Sequence, residues 1–412
     1  MEPVRFAVVG IGGFAAVHHR KFRDEEDRGR ARLTAVAETA LDRFQDEAAA
    51  FAQRGARIYG NAAEMLRAEQ GRADVVCLPV GIHAHAPLTI AAMEAGYNVL
   101  VEKPPAATVE DVDAMIETGR RTGRFCAVGF QLLSSPLLRR LKSLLVSGRL
   151  GRLRELACRA HWPRSTSYYE RNRWAGTSRL DGEWVLDGPM NNACAHYLMN
   201  LLFLAGRTRE TAAEPVRVRA EIYAARGIGG EDTTVLLAEL SDGARIYFGV
   251  THACREGAGP VFRIAGSRGT ITGELHGEMK AVLNGQGEIE LENPGGDDHQ
   301  RLFANVIDYC RGEAPALHSP LALARSMTLT MNAAYESSRR VHAIPKDAIR
   351  AVPVRPEARG DLLLDVSGLD RALTAGWEKM ATFSDLGVPW AKQTEWFDLA
   401  GYSRFTGAGL SD

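Results

Sequence analysis

The sequence predicts a two-part chain: an α/β domain with a doubly wound parallel sheet, then an α+β domain on a large, mostly antiparallel open sheet. Three observations predict it. Short apolar runs alternate with helical stretches from residue 4 to about residue 128, the pattern of a parallel sheet covered on both faces. A glycine-rich turn, Gly10-Ile11-Gly12-Gly13-Phe14-Ala15, stands between the first run and the first helix. Beyond Gly129 the runs lengthen and alternate apolar with polar residues, as antiparallel strands with one packed face do.

Each element has its own signal. Residues 4–9 are a short apolar strand, and a helical stretch follows the glycine turn to about residue 23. Strands are expected at 33–37, 57–59, 73–79, 98–101 and 124–128, with helical sequence at 41–53, 64–68, 87–95 and 109–122 between them. Gly96 suits the position after a helix end, and Thr108 suits an N-cap. In the second part a helix at 136–147 closes at Gly148. Long strands are expected at 153–161, 216–224, 233–240, 244–251 and 261–265, with Asp242-Gly243 as a hairpin turn. Two further helices are expected, at 189–205 and at about 321–340. The tail past Ile344 holds Trp377, Trp390 and Trp396 and is expected to pack on the body. The expected domains are 1–130, 131–345 and a C-terminal extension, 346–412.

Composition narrows the function. At 412 residues the chain exceeds one ordinary core. Apolar residues make up 45% and charged residues 25%, the mix of a soluble globular protein. Lys plus Arg number 50 against 51 Asp plus Glu, a net charge of -1. That balance argues against a nucleic-acid partner or a polybasic membrane surface. The six cysteines, Cys77, Cys126, Cys158, Cys194, Cys254 and Cys310, form no Cys-x-x-Cys pair, and none has zinc-ligand spacing to a nearby histidine. No metal is expected, and the thiols are expected free and buried. No apolar stretch reaches the length that spans a bilayer, and the first residues run straight into a strand, without a secretory signal. A cytoplasmic location is expected.

Four groups of residues are candidates for chemistry. The first is Gly10-x-Gly12-x-x-Ala15: Gly10 permits a tight turn, Gly12 lets the backbone approach a pyrophosphate, and Ala15 allows close helix–strand packing. The helix start that follows suits phosphate. Glu38, ending the second strand, can accept both hydroxyls of an adenosine ribose and would repel a 2′-phosphate, which favours NAD over NADP. The second group is Glu102-Lys103-Pro104, at the end of the fifth strand, where a lysine charge can stabilise a developing alkoxide. Prolines fix its backbone, and Glu102 is its natural partner; the bland alternative is a strand-end ion pair. The third is the helix at 189–205, where Asn192, His196 and Met199 follow at i, i+4 and i+7 on one face. Histidine is suited to moving a proton near neutral pH, although a lone histidine on an apolar helix is often a core residue. The fourth is the aromatic and basic stretch holding Tyr169, Arg173 and Trp174, with Trp184 and Asp187 beyond. Flat faces and forked donors suit a sugar or cyclitol; ordinary loop packing is the alternative.

Together these motifs resemble the glucose–fructose oxidoreductase / inositol dehydrogenase / MocA (Gfo/Idh/MocA) family. The likeness runs from the glycine turn through His83-Ala84-His85-Ala86-Pro87 and Ala95-Gly96-Tyr97-Asn98-Val99-Leu100-Val101-Glu102-Lys103-Pro104. It continues to Gly129-Phe130-Gln131 and the helix at 191–204, and covers about residues 4–345. The resemblance implies an N-terminal Rossmann domain, a C-terminal domain with a large open sheet, and oxidation or reduction of sugars, cyclitols or related compounds with NAD(P). It also implies a homo-oligomer formed through that sheet. By position it implies Lys103 on the reacting oxygen and His196 as acid/base. Gly12, Gly13 and Phe14 would lie against the pyrophosphate, Glu38 on the ribose, and Glu102 and Gln131 near the nicotinamide ribose and ring. Gly10, Pro79, His85 and Lys103 complete the expected cofactor contacts. Two positions depart from the family pattern. Aspartates are common four residues before and three residues after the histidine, and here Asn192 and Met199 stand there. Asn192 can orient a hydroxyl but holds no charge. Asp187, one helical turn outside, is a candidate substitute.

The leading expectation is an NAD-dependent oxidoreductase acting on a secondary hydroxyl or ketone of a sugar or cyclitol, with Asn192, Tyr169, Arg173, Trp174 and Asp187 on the substrate. Two alternatives stay open: a redox-neutral enzyme that oxidises its sugar transiently, and a non-catalytic NAD-binding sensor or partner protein.

Overall fold

The computed structural model describes residues 2–285, 287–355 and 360–410. The chain divides into two compact units. The first comprises the residues up to Ala106, Glu110–Ser135 and Gly296–Arg325; the second comprises Ala107–Val109, Pro136–Gly295 and the residues from Ser326.

In the first unit, β1 (Val4–Val9), β2 (Ala31–Ala37), β3 (Arg57–Tyr59), β4 (Val75–Leu78), β5 (Asn98–Val101) and β6 (Cys126–Val128) form one parallel sheet. Their order is β3-β2-β1-β4-β5-β6. The central strands read as unbroken apolar runs because helices cover both faces; every residue of β4 is buried. Strand order reverses between β1 and β4, and ligands of such sheets bind beyond the carboxyl ends at that point. The helix expected over 41–53 is interrupted: a 3-10 turn, Leu41–Arg43, precedes the helix Gln45–Gln53, and Phe44 between them is not helical.

The helix Asp298–Cys310 belongs to this first unit, although the sequence reading assigned it to the second domain. It buries Leu302, Phe303, Val306 and Ile307 with Phe6, Phe22 and Val36; the Phe22 and Phe303 rings meet edge to face at 4.9 Å. Its 3.6-residue apolar pattern marks a buried face but carries no information about which sheet it covers. After it, Ser319 accepts the Val128 N–H at 2.9 Å, at the β6 edge.

The second unit is built on a ten-stranded sheet. Its strands are β7 (Leu153–His161), β10 (Pro215–Ala224), β11 (Thr233–Leu240), β12 (Arg245–Thr251), β13 (Ala258–Gly266), β14 (Gly269–Glu274), β15 (Met279–Leu283), β16 (Gly287–Leu291), β17 (His342–Ala343) and β20 (Phe397–Asp398). Between β7 and β10 lies a short hairpin, β8 (Arg179–Leu180) and β9 (Glu183–Trp184); β18 (Ile349–Pro353) and β19 (Leu362–Val366) form another in the tail. The large sheet is antiparallel except where β12 meets β7 and β17 meets β10. Asp242-Gly243 makes the expected turn between β11 and β12, with Gly243 at φ +84°. The helix Ala195–Ala205 lies against one face; its Tyr197 ring meets Phe262 of β13 at 6.1 Å.

Residues past Ile344 pack on the other side of the strands. Ala157, Tyr223, Val235 and Tyr247, from β7, β10, β11 and β12, share a core with Val366, Leu369, Leu373, Trp377, Phe383 and Trp390. Over these four strands the chain's own tail covers the sheet that was expected to meet a second copy. Among the described residues no disulfide forms, and all six cysteines but the half-buried Cys310 are buried. No helix among them is long and apolar enough to cross a membrane.

Candidate functional site

The glycine turn follows β1 directly. Gly10 has φ +111°, a region that L side chains avoid, and a Cβ there would sit 3.3 Å from the Ala15 Cβ. Gly10 donates to the Ala37 carbonyl at 2.7 Å, which ties the turn to the end of β2. Gly12 lacks a side chain where the tip of the Phe44 ring approaches: a Cβ would lie 2.3 Å from it. Phe44 is the residue at which the helix expected at 41–53 is interrupted. Gly13 has φ +57°, and Phe14 is exposed at the helix start. The Glu38 carboxylate accepts the Ile11 N–H and the Ala40 N–H, each at 2.9 Å. It is therefore held against the turn. Pro79, after β4, brings its carbonyl within 3.8 Å of a Cβ built on Gly10. Gly10, Gly12, Gly13, Phe14, Glu38 and Pro79 thus gather at the β1/β4 reversal.

The neighbouring strand end carries Glu102 and Lys103. Glu102 is buried; one oxygen pairs with His18 Nε2 at 2.8 Å and the other accepts the Lys103 backbone N–H at 3.1 Å. Burial pushes its carboxyl up, but the His18 hydrogen bond and the charges of His18 and Lys103 hold it below the usual carboxylate range. Gly129, after β6, makes room for this group: a Cβ would lie 2.6 Å from a Glu102 oxygen. His18 is the residue that sequence reading missed. Its signal was a histidine three residues after Ala15, on the same buried helix face. His85 lies beside the Lys103-Pro104 turn. It is buried, with Nδ1 2.7 Å from the Pro104 carbonyl and Nε2 3.1 Å from the Val80 carbonyl. A neutral imidazole carries one N–H, so the ring donates to one of these two carbonyls. Gln131 opens a 3-10 turn, Gln131–Ser134, just past β6.

In the second unit the helix expected over 189–205 is two elements. Pro189–Ala193 forms a π-turn, with the Cys194 N–H on the Pro189 carbonyl at 2.7 Å, and the α-helix starts at Ala195. A single 3.6-residue wheel therefore does not run from Asn192 to His196. π-turns of this kind are frequent at functional sites. Asn192 donates to Asp187 Oδ1 at 2.7 Å, and Asp187 Oδ2 accepts the Gly176 N–H at 2.7 Å. Arg171 stands 3.7 Å from the same carboxylate. A buried carboxylate thus stands directly behind the amide at position 192. Beneath the π-turn the buried Glu231 accepts the Met190 N–H at 2.7 Å and the Thr234 hydroxyl at 3.0 Å. Met199 is fully buried, and His196 is half-buried.

The aromatic loop is divided in its roles. The Tyr169 hydroxyl lies 3.1 Å from His252 Nδ1, and burial pushes its phenol up. Arg173 is exposed and pairs with Asp181 at 3.0 Å. Arg171 stacks on Tyr168 at 3.7 Å and approaches Trp174 at 5.1 Å. Trp184 turns to the C-terminal tail, its ring 5.0 Å from that of Phe405.

Two family models match the chain. One, described as an oxidoreductase family with an NAD-binding Rossmann fold, matches residues 4–130; the other, the GFO/IDH/MocA C-terminal domain, matches residues 138–272. Together they span more than half of the sequence. The chain belongs to the Gfo/Idh/MocA oxidoreductase family. This Gfo/Idh/MocA protein is 25% identical over 309 residues to dTDP-3,4-didehydro-2,6-dideoxy-alpha-D-glucose 3-reductase of Streptomyces violaceoruber, across 74% of this chain and 82% of that one. It is 36% identical over 153 residues to inositol 2-dehydrogenase of Streptomyces avermitilis, a match to 37% of this chain and 43% of that one. The crystal structure of the WlbA dehydrogenase from Bordetella pertussis, in complex with NADH and UDP-GlcNAcA, superposes with a TM-score of 0.68 at 26% identity. It covers 82% of this chain and 97% of that one.

Proposed function

We propose that this Gfo/Idh/MocA oxidoreductase interconverts a secondary hydroxyl and a ketone on a sugar or cyclitol. The observation that carries the reading is the Glu102–Lys103 strand end, whose buried carboxylate is locked by His18 while the adjacent residue is a lysine. NAD, when bound, supplies the hydride acceptor or donor. Gly10, Gly12 and Gly13 would cradle its pyrophosphate and Glu38 its ribose; the open space beside Gly13 and the fixed Glu38 carboxylate fit that group. Gln131 and Glu102 would lie toward the nicotinamide. Lys103 binds the reacting oxygen and offsets its developing negative charge. His196 takes the hydroxyl proton in oxidation and returns it in reduction. Asn192, fixed by Asp187, orients a neighbouring hydroxyl, and the Asp187 carboxylate supplies the negative charge that Asn192 lacks. Tyr169, Arg173 and Trp174 are proposed to contact the rest of the ring. The relatives named for a deoxyhexose derivative and for inositol support the substrate class.

The test is NADH formation at 340 nm with myo-inositol, D-glucose, methyl α-D-glucoside and D-glucuronate. Turnover of at least one is expected, and Lys103→Ala and His196→Ala should each lower kcat by about a hundredfold or more with NAD affinity little changed. Full rate in both variants would sink the assignment.

A further inference from the structure

The loop from Arg164 to Asp187 has little regular structure of its own. It contains one short helix, Thr166–Tyr169, and the two-residue strands β8 and β9. A connection of this length needs outside support to hold one conformation. The C-terminal extension touches it at both ends.

At the first end, the Asp361 carboxylate accepts the Ser167 N–H at 2.9 Å and the Ser167 hydroxyl at 3.1 Å. The Ser167 N–H and the serine hydroxyls hold its carboxyl below the usual range. The Leu362 carbonyl accepts Arg226 Nη2 at 2.9 Å, and the same nitrogen donates to the Arg164 carbonyl at 2.7 Å. Arg226 thereby stitches tail and loop together. At the second end, Trp184 packs its ring 5.0 Å from Phe405, and a Cβ on Gly407 would lie 2.2 Å from the Trp184 ring. Both latches have firm bases. Asp361 and Leu362 lead into the paired hairpin β18–β19. The tail end is fixed by Glu336, which accepts the Thr406 N–H at 2.7 Å, the Thr406 hydroxyl at 2.8 Å and the Tyr402 hydroxyl at 3.1 Å. Between the latches stand Tyr169 and Trp174, and Asp187 follows three residues after Trp184.

We propose that the C-terminal extension is part of the substrate-recognition apparatus: Asp361–Leu362 and Phe405–Gly407 fix the two ends of the 164–187 loop and so set affinity for the sugar or cyclitol. This rests on the reading of that loop as substrate-binding. The positioning residues are Asp361 and Phe405; neither is assigned a contact with substrate.

The experiment uses the full chain with Asp361→Ala, Asp361→Asn and Phe405→Ala. Hydrogen exchange, NAD affinity, and KM for the four sugars named above are measured, or calorimetric Kd with NADH present where there is no turnover. Exchange is expected to rise about tenfold over 164–175 in Asp361→Ala and over 179–187 in Phe405→Ala. KM or Kd should rise by about threefold to tenfold, with kcat and NAD affinity unchanged. Asp361→Asn, which keeps an acceptor for the Ser167 N–H, should fall between. Unchanged exchange in both variants, or raised exchange with unchanged sugar affinity, overturns the proposal. Sugar binding without turnover refutes the oxidoreductase reading instead, while exchange and Kd still decide on the latches.

Discussion

Glu231 is a fully buried carboxyl whose hydrogen-bond donors are neutral: the Met190 N–H and the Thr234 hydroxyl. Burial pushes it up to about 8, and the neighbouring Asp232 and Asp187 add to the effect. Between the ordinary carboxylate value and about pH 8 the folded protein therefore keeps a proton that the unfolded chain releases. Stability from this group is complete at acidic pH and declines as pH rises through that window, by at most about 1.4 kcal/mol per pH unit. Glu231→Gln can accept the Met190 N–H through its oxygen and donate to the Thr234 hydroxyl through its NH2, and it removes the titration. Urea denaturation at pH 5 and pH 8 should show a smaller decline for the variant than for the wild type. Asp232, raised to about 6, gives a slope of the same sign that the substitution leaves in place. None of this is visible in the sequence, where Glu231 is one acidic residue before a strand. Burial and the nearness of Asp232 and Asp187 are products of the fold. Asp187, by contrast, was legible as a nearby carboxylate, and only its bond to Asn192 had to be seen.

At the level of elements, the helix Ala195–Ala205, which carries His196, is held at its far end by a buried lysine. Lys142 donates to the carbonyls of Phe203, of Gly206 at 2.6 Å and of Thr211 at 3.1 Å, satisfying acceptors that a helix end leaves open. Burial lowers the amine to about 7, and the charge of Glu210 partly opposes that shift. Lys142→Met keeps the aliphatic stem but leaves those carbonyls unpaired. We expect a loss of about 2–4 kcal/mol in chemical denaturation, with NAD affinity, a property of the first unit, unchanged. The glycine turn needed no structure to be recognised, because its residue types, spacing and flanking strand and helix are all local. The π-turn at Pro189–Ala193 was not legible: the apolar run around it reads as one continuous helix, and the Pro189–Cys194 bond that breaks the period leaves no mark in composition.

For the whole molecule, the decisive feature is the tail. Leu373 is fully buried under the sheet, and its Cδ2 lies 2.9 Å from a Cβ built on Gly249 of β12. Leu373→Ala should cost about 2–5 kcal/mol, the range for a leucine removed from a packed core. The check is the urea midpoint at constant slope. If the tail were a loosely attached appendage, the loss would be near zero. About a fifth of this chain lies outside the superposition on the WlbA dehydrogenase, while nearly all of that protein is matched. The return of residues 296–325 to the first unit is the other long-range feature. It joins segments nearly 300 residues apart, as when Lys21 pairs with Asp297.

The sequence by itself determined the parallel strand–helix alternation, the glycine turn, the acidic end of β2, the Glu102–Lys103 strand end and the family. These rest on residue type at short spacing, and local chemistry suffices to read them. Only the tertiary structure decided that His18 locks Glu102, that His85 meets the Pro104 carbonyl, that Asp187 stands behind Asn192, and that the tail covers the sheet and latches a loop. Each joins residues far apart in the chain, or depends on burial. An apolar pattern shows that a face must be covered, but not by what.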